Sequence, residues 1–167
     1  ITLACPDYTA FDKVHPKDRF ARTAIELDLN IPRTWLPENE KDLEDKTREM
    51  TWPVLVKPPD NVGGRGISKH TGKETLLTAY STLQKSTPDE QILVQEAAEG
   101  TDYCFCGLYS EGELVSSMVY RNLRKYPNET GAGVVRETVD STIFDPIAGS
   151  LMQTLEWTGV VEIDFLW

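Results

Sequence analysis

The segment WPVLVKPPDNVGGRGISK, residues 52–69, constrains the fold of this chain more than any other. Its two short runs, PVLVK and GISKH, predict a pair of strands that form a hairpin with a long tip. The tip carries Gly63, Gly64 and Gly66, which let backbone N–H groups converge on an anion without obstruction by a Cβ atom. Lys57 ends the first strand and adds a positive charge to the same space. The hairpin is therefore predicted to be a flap that closes over phosphate groups, and the alternative is a flexible tip with a solvated lysine.

The spacing of this loop excludes two commoner phosphate-binding motifs. The GxxxxGK[ST] pattern of a P-loop is absent, and the lysine precedes the glycines instead of following them. A dinucleotide-binding fingerprint is also excluded, because no predicted helix begins directly after the glycines.

Composition places the chain among soluble globular proteins, because 40% of its 167 residues are hydrophobic and 26% are charged. This length suits one domain or two small lobes. No apolar run approaches the roughly 20 residues that cross a bilayer, so we expect no membrane partner. The net charge of -10 argues against nucleic acid as a partner, since binding it requires Lys and Arg to neutralise phosphates. No basic and then apolar signal opens the chain, so secretion has no support, and the three cysteines are interpreted as thiols of a cytoplasmic protein.

The three cysteines, Cys5, Cys104 and Cys106, are predicted to be reduced thiols. The sequence CFC alternates, so its two thiols are expected on one face of a strand. A metal site built on them would need further His or Cys ligands. The two histidines, His15 and His70, lie in unrelated contexts and are expected at the surface.

The remaining pattern predicts an α+β protein. Helices are expected over 17–30, with Asp18 as N-cap and Phe20, Ala24 and Leu27 inward, and from Pro37 to residue 50. A third helix over 72–85 places Leu76, Leu77, Tyr80 and Leu83 inward, and a fourth, over 144–157, is entered through Asp145-Pro146. Strands are expected at 91–97, 102–110, 113–121, near 134–139 and at 159–167, with a turn at Glu111-Gly112.

Four segments, taken in order, resemble the ATP-grasp superfamily, and in particular the branch that contains carbamoyl phosphate synthetase and D-alanine–D-alanine ligase. They are DRFARTAIELDLNIP, WPVLVKPPDNVGGRGI, ILVQEAAEGTDY, and RETV followed by GVVEIDF. The resemblance covers residue 17 to the end. It implies an ATP-grasp fold in which two α+β lobes grip a nucleotide between them. The implied division is a remnant or linker at 1–16, an N-terminal lobe at 17–94 and a partial C-terminal lobe at 95–167.

The resemblance also implies roles for the residues that would bind ATP. Lys57 resembles the lysine that contacts the α- and β-phosphates, and Arg19 lies where the family has its first basic contact, with Lys17 as the nearby competitor. Gly63, Gly64, Arg65 and Gly66 would form the flap. Glu96 looks like the acceptor for the adenine amino group, Ala98 would supply backbone contacts to the ring, and Asp102 resembles the acid that binds the ribose hydroxyls.

Asp164 resembles the first Mg²⁺ ligand of the family, and Glu162 is its rival two residues earlier. Both acids would share one face of an otherwise apolar strand, where they need solvent or a cation. Mg²⁺ prefers hard carboxylate oxygens and bridges phosphates, and Mn²⁺ would be a substitute. The resemblance therefore implies ATP and Mg²⁺ as cofactors.

The basic residues of RNLRK, and Arg136 in RETV, occupy a region that faces the acyl phosphate or the acceptor in this branch. The resemblance thus implies catalytic roles for Arg124 and Arg136, and the alternative is a charged surface turn. The segment KYPNETGAG between them, residues 125–133, is expected to be a loop that shapes acceptor specificity.

The chain departs from the family at its end, where the strand with the second metal ligands would follow Trp167. We therefore expect a truncated piece of a longer ligase, inactive by itself. The implied activity of the parent is ATP-dependent joining of a small carboxylate to an amine through an acyl phosphate. A nucleotide-binding regulatory module without catalysis is the alternative.

Overall fold

The computed structural model of the chain describes residues 4–61, 63–126 and 131–167. Residues 127–130 of the predicted specificity loop lie outside the described residues, as does Val62 in the glycine loop. The chain divides into two compact units, with the boundary between Ala98 and Glu99. Residues 13–98 form one unit, and residues 99–167 together with the N-terminal residues up to Asp12 form the other.

The unit of residues 13–98 is built on a four-stranded antiparallel sheet in the order β1-β4-β2-β3. Its strands are β1 (Thr34–Trp35), β2 (Val54–Lys57), β3 (Ser68–His70) and β4 (Leu93–Glu96). Its helices are α2 (Lys17–Glu26), α3 (Glu40–Lys46) and α4 (Lys73–Ser86), and a 3-10 turn spans Thr47–Glu49. The predicted β2–β3 hairpin is thereby confirmed.

The core of this unit lies on one face of the sheet, where α3 and α4 pack. Its buried side chains are Trp35, Leu43, Met50, Val54, Val56, Leu76, Tyr80, Ile92 and Val94. Leu76 and Tyr80 are buried as the helical spacing of α4 predicted, and Leu77 and Leu83 are partly buried against the same core. The apolar stripe of α4 therefore positions the β2 strand that carries Lys57.

Two helix starts differ from the sequence prediction. The residue before α2 is Pro16, not Asp18. At the other end of the helix, Leu27 was expected to point inward, but it follows the last helical turn and is 36% exposed. The helix α3 begins at Glu40, three residues after Pro37, because the side chain of Asn39 accepts a hydrogen bond of 3.0 Å from the Asp42 amide. Asn is among the preferred N-cap residues, and this cap sets the boundary.

The second unit holds a four-stranded antiparallel sheet in the order β7-β6-β5-β8. The strands are β5 (Asp102–Ser110), β6 (Glu113–Tyr126), β7 (Ala132–Val139) and β8 (Gly159–Leu166). The predicted turn at Glu111 and Gly112 is confirmed, and both residues have the positive φ, 50° and 82°, that a tight hairpin turn requires. The helix α5 (Asp145–Thr154) follows β7, and α1 (Tyr8–Val14) lies near the N-terminus.

One face of this second sheet carries the aromatic packing around Phe144, just before α5. Its ring lies 5.2 Å from Tyr103, 5.2 Å from Phe165 and 5.8 Å from Trp167. Ser117 donates a 2.7 Å hydrogen bond to Asp145 on the same side. Because side chains alternate along each strand, every second residue of these strands points to the opposite face of the sheet.

The two antiparallel sheets with their helices confirm the predicted α+β class. Among the described residues, no helix has both the length and the apolar character needed to span a membrane.

Candidate functional site

The glycine loop joins two paired strands, as its composition predicted. Val56 pairs with Ser68, and the chain between Lys57 and Ser68 forms the loop. Gly63, Gly64 and Gly66 all have positive φ, from 63° to 74°, which side chains other than glycine adopt only with strain. At Gly66 a Cβ atom would lie 3.0 Å from Pro58 Cγ and 3.1 Å from Asn61 Nδ2. The glycines are therefore a requirement of this backbone path.

Lys57 lies at the end of β2 and is half-buried. Its Nζ donates a 2.6 Å hydrogen bond to Gln95 Oε1, and the side-chain Nε2 of Gln95 donates a 2.7 Å bond to Thr34 Oγ1. The register explains the contact, because Gln95 pairs with both Leu55 on β2 and Thr34 on β1. The ammonium is thus held at a defined place beside the loop, where it can meet an anion.

Lys17 contacts the loop from the first turn of α2. Its backbone N–H donates to Pro59 O at 3.2 Å, and its Nζ donates to the same oxygen at 3.2 Å and also to Asn61 O. Burial lowers the pKa of Lys17, and the charge of Asp60 opposes that shift. Lys17 therefore ties down the start of the glycine loop, while Arg19, two residues further along α2, is exposed.

Glu96 and Gln95 point to opposite faces of β4, because side chains alternate along a strand. By the same register Lys57 shares its face with Gln95, not with Glu96. The Glu96 amide donates to Arg33 O at 2.9 Å, and the Ala98 amide donates to Glu96 O at 3.0 Å. Gln95 is thus the residue of this segment that meets the lysine, and sequence reasoning passed over it.

The second unit collects polar side chains on the sheet face opposite the Phe144 packing. We call this surface the acid–thiol face and define it by Asp102, Cys104 and Cys106 of β5, Tyr120 and Asn122 of β6, Arg136 of β7, and Glu162 and Asp164 of β8. Directly paired residues of neighbouring strands share a face of the sheet. Cys104 pairs with Asp164 and Tyr120, Cys106 pairs with Glu162, and Asn122 pairs with Arg136. The predicted residues Asp102, Arg136, Glu162 and Asp164 are therefore brought together on one surface.

Asp102 begins β5 and is tied to β6 by two contacts. Lys125 Nζ lies 2.6 Å from Asp102 Oδ2, and Asn122 Nδ2 donates to the same oxygen at 3.3 Å. Asp164 pairs with Cys104, two residues along β5 from Asp102 and on the same face. Partial burial among protein atoms raises the pKa of Asp164, although solvent reaches part of its side chain, and the charge of Asp102 raises it further. The two acids thus repel each other, and a cation placed near them would relieve that repulsion.

Glu162 accepts two hydrogen bonds at one oxygen, from Cys104 Sγ at 2.9 Å and from the Tyr120 hydroxyl at 3.0 Å. Burial, followed by these contacts with Glu162, raises the pKa of the Cys104 thiol well above its usual range. Burial also raises the pKa of Tyr120, and its hydrogen bonds to Cys104 and Glu162 add to the shift. The carboxylate of Glu162 is therefore held in place by two neutral donors.

The two arginines predicted to face the acceptor differ in their surroundings. Arg136 lies with its guanidinium carbon 4.4 Å from the centre of the Tyr120 ring, a cation–π contact that places it on the acid–thiol face. Arg124 is exposed on β6 at a point where the β6–β7 register shifts.

The donor set of Glu162 and Asp164 suits Mg²⁺, which binds through one or two carboxylates and completes its shell with phosphate oxygens and water. Their side chains lie two residues apart on one face of β8, as predicted.

Comparison with known proteins gives the fold. No protein-family model matches the sequence. The structure is similar to biotin carboxylase of Campylobacter jejuni, with a TM-score of 0.81 and 13% identity over 99% of this chain and 40% of that one. The biotin carboxylase domain of Hydrogenobacter thermophilus 2-oxoglutarate carboxylase is also similar, with a TM-score of 0.76 and 15% identity over 99% of this chain and 39% of that one. The D-Ala:D-Ser ligase of Enterococcus faecalis has a TM-score of 0.74 and 18% identity over 100% of this chain and 52% of that one.

The chain spans between 39% and 52% of the length of these three proteins, so a partial domain fits the match. All three are ATP-grasp enzymes. Because the likeness extends over nearly all of its residues, this chain has the ATP-grasp fold that its four sequence segments predicted.

Proposed function

We propose that this chain is the ATP-binding part of an ATP-dependent ligase that joins a carboxylate to an amine through an acyl phosphate. The observation that carries the proposal is the hairpin in which Lys57 is held beside a loop of three left-handed glycines, within an ATP-grasp fold. Two similar structures agree with a nucleotide ligand, since one is described as a β,γ-ATP complex and the other as a complex with MgADP.

The phosphates would be bound by the residues of the unit 13–98. The ammonium of Lys57 neutralises oxygens of the α- and β-phosphates, and the amides around Gly63, Gly64 and Gly66 donate to the others. Arg65 and Arg19 are both exposed and would add charge from the loop and from α2. Two of the three Nζ donors of Lys17 serve Pro59 O and Asn61 O, so we propose that Lys17 acts on the loop and Arg19 on the nucleotide.

The nucleoside would be bound by the chain from Glu96 to Asp102. We propose that Glu96 accepts from the adenine amino group and that the backbone at Ala98 contacts the ring. Asp102 would accept from the ribose hydroxyls, and Lys125 Nζ, 2.6 Å from its Oδ2, would hold the carboxylate in position.

Asp164 and Glu162 would hold Mg²⁺, or Mn²⁺ in its place, through carboxylate oxygens. A cation bound there would supply positive charge to the phosphate oxygens. Arg136, which lies on the same face, and Arg124 on the adjoining strand would bind the acyl phosphate or the acceptor.

The proposed reaction has two balanced steps. A carboxylate oxygen attacks the γ-phosphorus, the bond to the β,γ-bridging oxygen breaks, and ADP leaves with the electron pair. The amine then attacks the acyl carbon, phosphate leaves, and the amine loses a proton to solvent. The side chains supply position and positive charge and form no covalent intermediate, which is how phosphoryl transfer is generally catalysed.

The test is ATP turnover by the complete protein that contains this chain. Hydrolysis of ATP is expected only when a carboxylate acceptor is present, and Lys57→Ala is expected to lower turnover at least 100-fold, a typical cost of removing a transition-state contact. Lys85→Ala, at an exposed position near the end of α4, is the matched control and should retain activity. Normal turnover by Lys57→Ala would refute the role of Lys57, and tight ATP binding without turnover on any carboxylate would favour a regulatory module.

A further inference from the structure

Two thiols and one carboxylate meet on the acid–thiol face. Cys104 and Cys106 project to the same side of β5, and Glu162 lies directly opposite Cys106 on β8. The two sulfur atoms and a carboxylate oxygen of Glu162 all lie within 4.8 Å of one another. Neither strand could show this alone, because β5 ends at Ser110 and β8 begins only at Gly159.

We propose that Cys104, Cys106 and Glu162 form a binding site for a soft divalent cation of the Zn²⁺ class. A tetrahedral zinc ion with Zn–S bonds of about 2.3 Å places its sulfur ligands about 3.8 Å apart. Donor atoms already within 4.8 Å can reach that arrangement by small side-chain rotations. Mg²⁺ would not compete for the thiolates, since it requires oxygen ligands.

The fourth position can be filled from the same face. Asp164 lies directly opposite Cys104 in the β5–β8 pairing, so its carboxylate is on the same face of the sheet as the two thiols. Its oxygen, or a water molecule in its place, would complete a four-coordinate shell.

The residues behind these ligands favour a defined geometry. The Tyr120 hydroxyl donates to Glu162 Oε1 at 3.0 Å, and the Tyr120 ring is packed against Arg136. Hydrogen bonds of this kind orient the ligands of metal sites and raise their affinity. Cys104 is 1% exposed, so its sulfur has little freedom to turn away, whereas Cys106 is half-buried and leaves a path for the ion.

Binding releases two protons to solvent, one from each thiol, and forms two metal–sulfur bonds. Because Glu162 is also a proposed Mg²⁺ ligand, an ion held by the thiols would take this carboxylate away from the nucleotide site. Inhibition of Mg-ATP binding by soft cations then follows, and this consequence alone rests on the proposed function.

The test is titration of the reduced chain with Co²⁺ in the absence of nucleotide, so that its result is independent of ATP binding. We expect one Co²⁺ per chain, a thiolate-to-cobalt charge-transfer band, and loss of that band when Zn²⁺ is added. Cys106→Ser and Glu162→Gln should each weaken binding at least tenfold, and both positions are accessible enough for the variants to fold.

Cys5→Ser is the matched control, because Cys5 is an exposed thiol outside the cluster, and it should leave the titration unchanged. The proposal is overturned if no charge-transfer band appears at millimolar Co²⁺. It is equally overturned if the band persists unchanged in Cys106→Ser or disappears in Cys5→Ser.

Discussion

Replacing Lys17 by Met tests whether this side chain holds the glycine loop in place. The variant keeps a side chain of similar length and keeps the backbone bond from residue 17 to Pro59 O, but it removes both bonds from Nζ. The loop should then leave its ordered path more often, while the core around α4 stays intact.

The magnitude follows from the two lost hydrogen bonds. Bonds to a charged group contribute roughly 1.5–3 kcal/mol each when they are well formed. The bond to Asn61 is exposed, and Lys17 also recovers hydration when it is freed, since burial lowers its pKa in the folded chain. We therefore expect a net loss of about 1 kcal/mol, which is about a fivefold change in the equilibrium between ordered and open loop.

The assay is hydrogen exchange of the backbone amides, read by residue. Exchange at the Ile67 amide, which donates to Gly64 O within the loop, should be about five times faster in Lys17→Met, with no change in the strands β2 and β4. Lys13→Met is the matched control, because Lys13 is exposed and its ammonium takes part in no hydrogen bond or ion pair among the described residues. Unchanged loop exchange, or an equal acceleration throughout the unit, would refute the reasoning.

Two further predictions concern stability. Leu76→Ala removes a side chain with no exposed surface and should lower the free energy of unfolding in urea by about 3–5 kcal/mol, and Leu77→Ala, at the rim of the same core, should cost clearly less. Tyr109→Phe should stabilise the chain by about 1–2 kcal/mol, because the Tyr109 hydroxyl is buried with no hydrogen-bond partner in the described part of the chain. Burial raises the pKa of Tyr109 to about 12, so the folded state keeps this proton longer than the unfolded state does. The wild type should therefore lose stability between about pH 10 and pH 12, and its deficit relative to Tyr109→Phe should widen over that range in urea titrations. A loss of stability in Tyr109→Phe at neutral pH would contradict this account.

Local sequence signals were sufficient for the β2–β3 hairpin, for the turn at Glu111-Gly112 and for the inward face of α4. In each case the residues that determine the local structure lie close together in the sequence. They are glycines with positive φ, apolar side chains at helical spacing, or a strand with polar residues at its ends. The start of α3 was missed because Pro37 and Asn39 are both acceptable near a helix start, and only the hydrogen bond from Asp42 distinguishes them.

The contacts that build the candidate site depend on strand pairing over long sequence separations. Gln95 could have been recognised by alternation, since it points away from the core beside the strand of Lys57, but its bond to Lys57 requires the β2–β4 register. The cluster of Cys104 with Glu162 requires the β5–β8 register in the same way. Such pairings are set by the packing of whole sheets, so the motifs predicted single residues better than their partners.

The central claim is that the loop after Lys57 closes on the phosphates of a nucleotide. Hydrogen exchange of this chain with and without saturating Mg-ATP tests it most directly. We predict slower exchange at Gly63 to Gly66 and near Ala98 when the nucleotide is present, and a much smaller effect in Lys57→Met than in Lys85→Met. Protection that is confined to other segments, or that is the same in both variants, would contradict the claim.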